Sequence, residues 1–272
     1  MKFTRRELLA GIGLGTLGVG GLTLGQGRPR YTHYTYAATD DLDDRRVRVA
    51  WYERYNGVFQ ETQDGTTDPG FDQTLDPDTA PTYVEEATFV TDATGPVLRI
   101  GNVLPGDEGS LVVGLEVVDD GDFIPEAVDI WLQAVLTADT EQTINGPESV
   151  AGDTSSTDGE LDEEVFVELW RDGAPLGSCN GQKDFTESLE GSLVARSPIG
   201  VAFGTSSDVG DADGQRVLSS VSPGQSRCIA FGWEFPEATA TNRSQGDGVA
   251  FDLVFGAVPA DGASPFTTEE TQ

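Results

Sequence analysis

The chain has 272 residues, with 47 acidic and 16 basic side chains and a formal charge of −31. A surface this negative excludes nucleic acid as a partner, because a phosphate backbone needs a basic face, and the length suits one large domain or two small ones. The one histidine, His33, and the two cysteines, Cys179 and Cys228, cannot furnish a Ser-His-Asp triad or a zinc centre in the body of the chain.

Lysine is confined to Lys2 and Lys183; the other basic residues are arginine. At low salt such a surface repels itself and opposes compaction. At molar salt the Debye length falls to about 3 Å and the repulsion is screened. The composition therefore reads as that of a halophilic protein.

The first element is an export signal. "MKFTRRELL" is a basic start, and "AGIGLGTLGVGGLTLG" (Ala10 to Gly25) is apolar but shorter than the roughly 20 residues that span a bilayer. Arg5 and Arg6, with Thr4, Leu8 and Leu9, fit the twin-arginine pattern; an ordinary secretory signal or a retained anchor is the alternative. Cleavage is expected after Ala37, in "YTYA", by a signal peptidase. Contact with a membrane is expected only through the uncleaved leader.

Strand signals follow. "RRVRVAWYERYNGVFQET" alternates Val47, Val49 and Trp51 against polar neighbours, and Asn56-Gly57 predicts a hairpin that resumes at Val58. Gln63 to Thr82 is rich in turn residues and reads as a loop. "TGPVLRIGNVLPGD", "SLVVGLEVVDD" and "AVDIWLQAVLTADT" each predict a strand. Asn145 to Glu164 reads as an acidic loop, and "VFVELWRDG" as a strand into an Asp172-Gly173 turn. "FTESLEGSLVARS" allows a short helix through Leu189 and Leu193, although Gly191 weakens it. "SRCIAFGWEFP" and "GVAFDLVFGAV" predict the last two strands, with Val249, Phe251, Leu253 and Phe255 on one face. The tail from Pro259 lacks a pattern.

These short strands and turns predict an all-β fold, a jelly-roll-like antiparallel β-sandwich with long acidic loops. The expected organisation is a leader over 1–37, a strand, hairpin and acidic loop over 38–95, the sandwich core over 96–258 and a flexible acidic tail over 259–272. In an exported chain the even pair Cys179 and Cys228 is expected to form a disulfide, the alternative being two buried thiols.

The order "IGNVLPGDEGSLVVGLEV", then "NGPE…GDTSSTDGEL…VELWRDG", then "CIAFGWEFP…N…GDGVAFDLVFGA" resembles the haloarchaeal branch of the TasA/camelysin-like family. The resemblance covers roughly residues 96 to 258 and, more loosely, the leader and residues 38 to 63. It implies an exported jelly-roll protein whose signal is handled by a dedicated signal peptidase, and whose subunits polymerise by donating an N-terminal strand to the next sheet, a form of β-augmentation. The stretch "RRVRVAWYERY" matches the position of that donor, so Val47, Val49 and Trp51 are the candidate interface; the alternative packs them into their own domain. Camelysin-like metalloprotease activity is not carried over, because the chain has no HExxH motif.

The acidic runs admit calcium as a ligand. Asp119 to Asp122, Asp158 to Glu164 and Asp208 to Gly214 each place hard oxygens on a loop, but none has the twelve-residue loop spacing, and a solvated surface is the simpler reading. Pairs of carboxylates could serve a glycosidase, yet among so many acids a pair carries no signal. The four tryptophans fit packing better than sugar stacking. Asn242-Arg243-Ser244 is a glycosylation sequon. The expected function is a secreted, cell-surface structural subunit of a fibre or matrix, self-associating or joined to a related subunit. A monomeric surface module binding calcium, glycan or an envelope protein is the alternative; no enzyme and no obligatory cofactor are expected.

Salt dependence tests the halophilic reading. Below about 0.5 M salt the domain should expand or unfold as the Debye length lengthens toward about 10 Å. Thermal melts across a salt series measure this, and unchanged cooperative unfolding at about 50 mM salt would contradict it.

Overall fold

In the computed structural model, the structure describes residues 31–38, 47–60, 87–90, 94–118, 127–141, 144–173 and 179–266. Two sheets pack face to face as an all-β sandwich. The larger sheet contains β1 (His33–Tyr36), β2 (Val47–Tyr55), β3 (Val58–Gln60), β4 (Thr88–Phe89), β6 (Glu108–Val117), β8 (Phe166–Asp172), β9 (Ser192–Pro198) and β11 (Ser226–Glu234). Its order is β4-β1-β2-β6-β11-β8-β9, with β3 paired to β2. The smaller sheet orders β10 (Gln215–Val221), β7 (Val128–Thr140), β12 (Gly248–Pro259) and β5 (Val97–Gly101). From β5 onward the chain changes sheet at every connection except β8 to β9, so successive strands face one another across the core.

Alternation determines which side chains meet there. Val49, Trp51, Leu111, Val113, Leu115, Leu169, Ile229 and Phe231 of the larger sheet oppose Ile130, Leu132, Val249, Phe251 and Phe255 of the smaller one. Phe203, from α4 and its exit (Ile199–Ala202), completes an aromatic trio with Phe231 and Phe251, with ring centroids 4.9 to 5.8 Å apart. The period of two places the polar residues outside, and the predicted strands and the Asn56-Gly57 hairpin all form, with positive φ at both turn residues.

Some elements differ from expectation. Within the expected N-terminal segment, β2 belongs to the larger sheet, pairing with β6 from Val47↔Val117 to Tyr55↔Gly109. A strand not expected, β1, precedes it. Within the predicted acidic loop, α1 (Gly146–Ala151) is started by an Asn145–Glu148 capping box, with Pro147 in the first turn, and α2 (Leu161–Glu164) follows. The "FTESLEGSLVARS" segment divides at Gly191 into α3 (Phe185–Glu190) and β9. The tail to Phe266 folds back on the small sheet: a Cβ on Gly256 would lie 2.4 Å from Pro265, and Ser264 donates to the Asp213 carbonyl.

Cys179 and Cys228 form a disulfide across the outer face of the larger sheet. With Tyr52, Val112, Trp170 and Ala230 it makes a second small core, and the Tyr52 hydroxyl donates to the Cys179 carbonyl at 2.8 Å. The loop carrying Cys179 is held by two carboxylates. Asp172 accepts from the Gly181 amide at 2.7 Å, and Glu187 accepts from Gly173 at 2.8 Å and Asp184 at 2.9 Å. Burial, and then a hydrogen bond shared with Glu187, push the Asp172 carboxyl up to about 8.

That shift has a sign. The folded state keeps a proton on Asp172 that the unfolded state releases near its ordinary carboxylate range, so its stabilising effect is complete at acid pH and is lost as pH rises toward about 8. Asp172→Asn keeps a donor toward Glu187 and an acceptor for Gly181. The variant should flatten the fall in stability between about pH 5 and 8, measured as the difference from wild type in denaturant unfolding at fixed high salt. An equal slope in both proteins would show that Asp172 does not titrate in this window.

Candidate functional site

The single histidine packs against β2. His33 Nδ1 lies 2.9 Å from the Thr32 hydroxyl, and its ring stacks on Trp51 at 5.7 Å. Burial holds its pKa below the ordinary value. Both cysteines are in the disulfide, so neither carries a free thiol.

The most connected site is the slot that β1 fills. Its one edge runs antiparallel to β2, from His33↔Trp51 to Tyr36↔Arg48, and its other runs parallel to β4 at His33↔Thr88 and Tyr34↔Phe89. Backbone bonds extend the seat at both ends: Thr32 to the Trp51 carbonyl and Ala37 to the Val47 carbonyl, each at 2.9 Å. Ala38 then leaves the larger sheet and joins the smaller one, donating to Phe255 at 2.8 Å and accepting from Ala257 at 3.0 Å. One short segment thus closes the open side of the sandwich by pairing with both sheets. Its side chains alternate: the Thr35 hydroxyl donates to the Val90 carbonyl at 3.0 Å, while Tyr34 and Tyr36 pack with Phe89, at 5.1 and 6.0 Å between rings. Tyr31 lies over Gly114, where a Cβ would come within 2.0 Å of its hydroxyl.

The structure places two of the sites expected from sequence beside this slot. Val47, Val49 and Trp51, the candidate donor residues, lie in the interior of their own chain's sheet, between β1 and β6, and are at most 2 % exposed. Their order on the strand was legible, but their neighbours were not. Ala37, the expected cleavage point, is buried and bonded to Val47, and a cut there would separate β1 from the sheet it completes. Arg5 and Arg6 lie outside the described residues, as does Asp119–Asp122.

On the outer face a cleft of about 300 Å³ is lined by Arg54, Glu168, Lys183, Arg196, Glu234 and Trp170. Two charge pairs line it: Lys183 donates to Glu168 and Ser192, and Arg196 pairs with Glu234 while lying 4.1 Å over the Phe166 ring. Those pairs bring Glu168 below the ordinary carboxylate range against its burial. Trp51, Trp170 and Trp233 are at most 8 % exposed and pack within the fold, with Trp170 and Trp233 at the wall of this cleft.

The carboxylates able to hold a metal gather at one end of the smaller sheet, where β7 ends and β12 begins. They form two groups that share Glu141: Glu141, Glu148 and Asp247, and Glu141, Asp153 and Glu160. Of the acidic runs singled out by sequence, the one containing Glu160 contributes, and among the described residues the Asp208–Gly214 run does not. Asp208 and Asp211 are exposed on turns. The group escaped sequence reading because its members are distant along the chain and share no local spacing. Asn242 is exposed nearby, but the sequon's Ser244 is buried and donates to Glu164 at 2.7 Å. Among the described residues no helix is long and apolar enough to cross a membrane.

No family model matches the chain, and no curated protein matches it significantly.

Proposed function

We propose that this chain is a secreted, cell-surface structural protein, the subunit of an extracellular fibre or matrix assembled by exchange of the β1 strand. The observation that carries the reading is the way β1 is held. It is short and lies at the N-terminal end of the described fold; main-chain bonds run along both edges, and residues 39–46 alone connect it to β2. Eight residues reach about 25–30 Å when extended. The same strand from a second copy would make identical bonds in the slot, so the closed monomer and the strand-exchanged polymer differ only in connectivity. The disulfide supports an oxidising, extracellular setting. The donor in this reading is Tyr31 to Ala38, one strand earlier than the Val47–Trp51 segment.

Electron microscopy of the protein at molar salt, over a concentration series, tests the proposal. The full chain should form regular filaments, and a chain lacking residues 31–38 should not. Gly114→Val, which fills the seat of Tyr31, should shorten or abolish them while the disulfide-bonded sandwich stays folded. Discrete monomers at every concentration, or filaments unaffected by the deletion, would overturn it.

A further inference from the structure

The group of carboxylates at the end of the smaller sheet is not part of the solvated acidic surface. Glu148, Asp153 and Asp247 are 0, 3 and 1 % exposed, and Glu160 is 7 % exposed. Each spends one oxygen on the protein. Glu148 accepts from the Asn145 amide, Asp153 from Ser155 at 2.9 Å, Asp247 from the Glu160 amide at 2.8 Å, and Glu160 from Arg243 at 2.7 Å. The other oxygen of each, together with both oxygens of Glu141, has no hydrogen-bond donor: Glu148 Oε1, Asp153 Oδ2, Asp247 Oδ1, Glu160 Oε2, Glu141 Oε1 and Oε2. One oxygen from each member of the two groups lies within 4.8 Å of its fellows. The bonds that are made fix four of the five carboxylates and leave one oxygen of each of those four unused.

Such an arrangement is unfavourable for carboxylates alone. A buried charge without a partner costs several kcal/mol, and Arg243 reaches one of the five. A hard cation bound among them relieves the repulsion. We propose that these residues form a calcium site, with Glu141 shared between its two halves and Glu148, Asp153, Glu160 and Asp247 as the remaining ligands.

The chemistry favours calcium over magnesium. Six carboxylate oxygens are free of other partners, and calcium takes about six to eight oxygens in an adaptable shell at about 2.3–2.6 Å. Magnesium demands a near-ideal octahedron and keeps much of its water. The ligands come from the end of β7, from α1 and its exit, from the entry to α2 and from the residue before β12. A bound ion would fasten the 141–164 segment and the loop leading into β12 onto the end of the β7–β12 pair. The site lies within one chain and does not use β1, so it stands or falls independently of strand exchange.

The test uses the full chain, stripped with chelator and held at constant molar NaCl. Equilibrium dialysis with calcium-45 should show one or two ions per chain, half-saturated in the range of about 10⁻⁴–10⁻³ M seen for extracellular calcium modules. The melting temperature should rise with the logarithm of calcium concentration above that range. Glu141→Gln, whose side chain carries no other hydrogen bond, should weaken binding by about tenfold or more with an unchanged circular dichroism spectrum. Asp247→Asn, which still accepts from the Glu160 amide, should do the same. Asp208→Asn, on the exposed turn, should bind as the wild type does. No saturable calcium binding, binding unaltered in both site variants, or calcium fully displaced by equimolar magnesium would each overturn the proposal.

Discussion

The sandwich hangs on the pairing of β7 with β12. The two strands run together from Gly248↔Thr140 to Pro259↔Val128, with one bulge at Ala250/Phe251, and their inward residues supply most of the small sheet's share of the core. Each end of this ladder anchors something else. At one end Asp129, fully buried on β7, accepts from Ser220 at 2.8 Å, from Arg216 at 2.9 Å and from Asp261 at 3.1 Å. Burial alone would raise its pKa, but these donors hold it below the ordinary value. That one carboxylate ties β10 and the tail to the ladder. At the other end the ladder opens into the acidic centre, and along its free edge β12 receives Ala38.

Two populations of carboxylate follow from this layout. The exposed ones share a diffuse field that mobile ions screen, so their influence depends on ionic strength rather than on any one neighbour. Most of the interior ones are committed to a backbone amide or an arginine, and bulk salt screens them far less. A chain of −31 can thus need bulk salt for its surface and a localised partner for its interior, two requirements that composition merges into one number.

What the sequence revealed was the part governed by period. Strands β5, β7 and β12 alternate along much of their length because one face is core and the other is more exposed, whereas β6, β8 and β11 read as longer apolar runs where the second small core covers their outer face. The hairpin was legible from Asn56-Gly57, since both residues adopt positive φ. β1 was hidden because "HYTY" carries little aliphatic alternation and follows an apolar leader. β10 was hidden because "QRVLSSV" follows an acidic turn and pairs irregularly with β7. α1 had a usable signal in "NGPE", where asparagine precedes glutamate by three residues. The acidic centre had none: Glu141 and Asp247 become neighbours only because Thr140 pairs with Gly248. The slot was likewise a property of pairing, since nothing local to Val47 or Trp51 says which strand will lie beside it.

The disulfide bears on mechanical load. Cys179 and Cys228 are 49 residues apart, and the covalent ring they close contains α3, β9, α4 and β10, with strands from both sheets. Tension applied through the two ends of the chain would bypass that ring. An oxidised subunit pulled to full extension would therefore withhold about 170 Å of contour length, at roughly 3.3–3.6 Å per residue, and would behave as a shorter, stiffer tether than its residue count suggests.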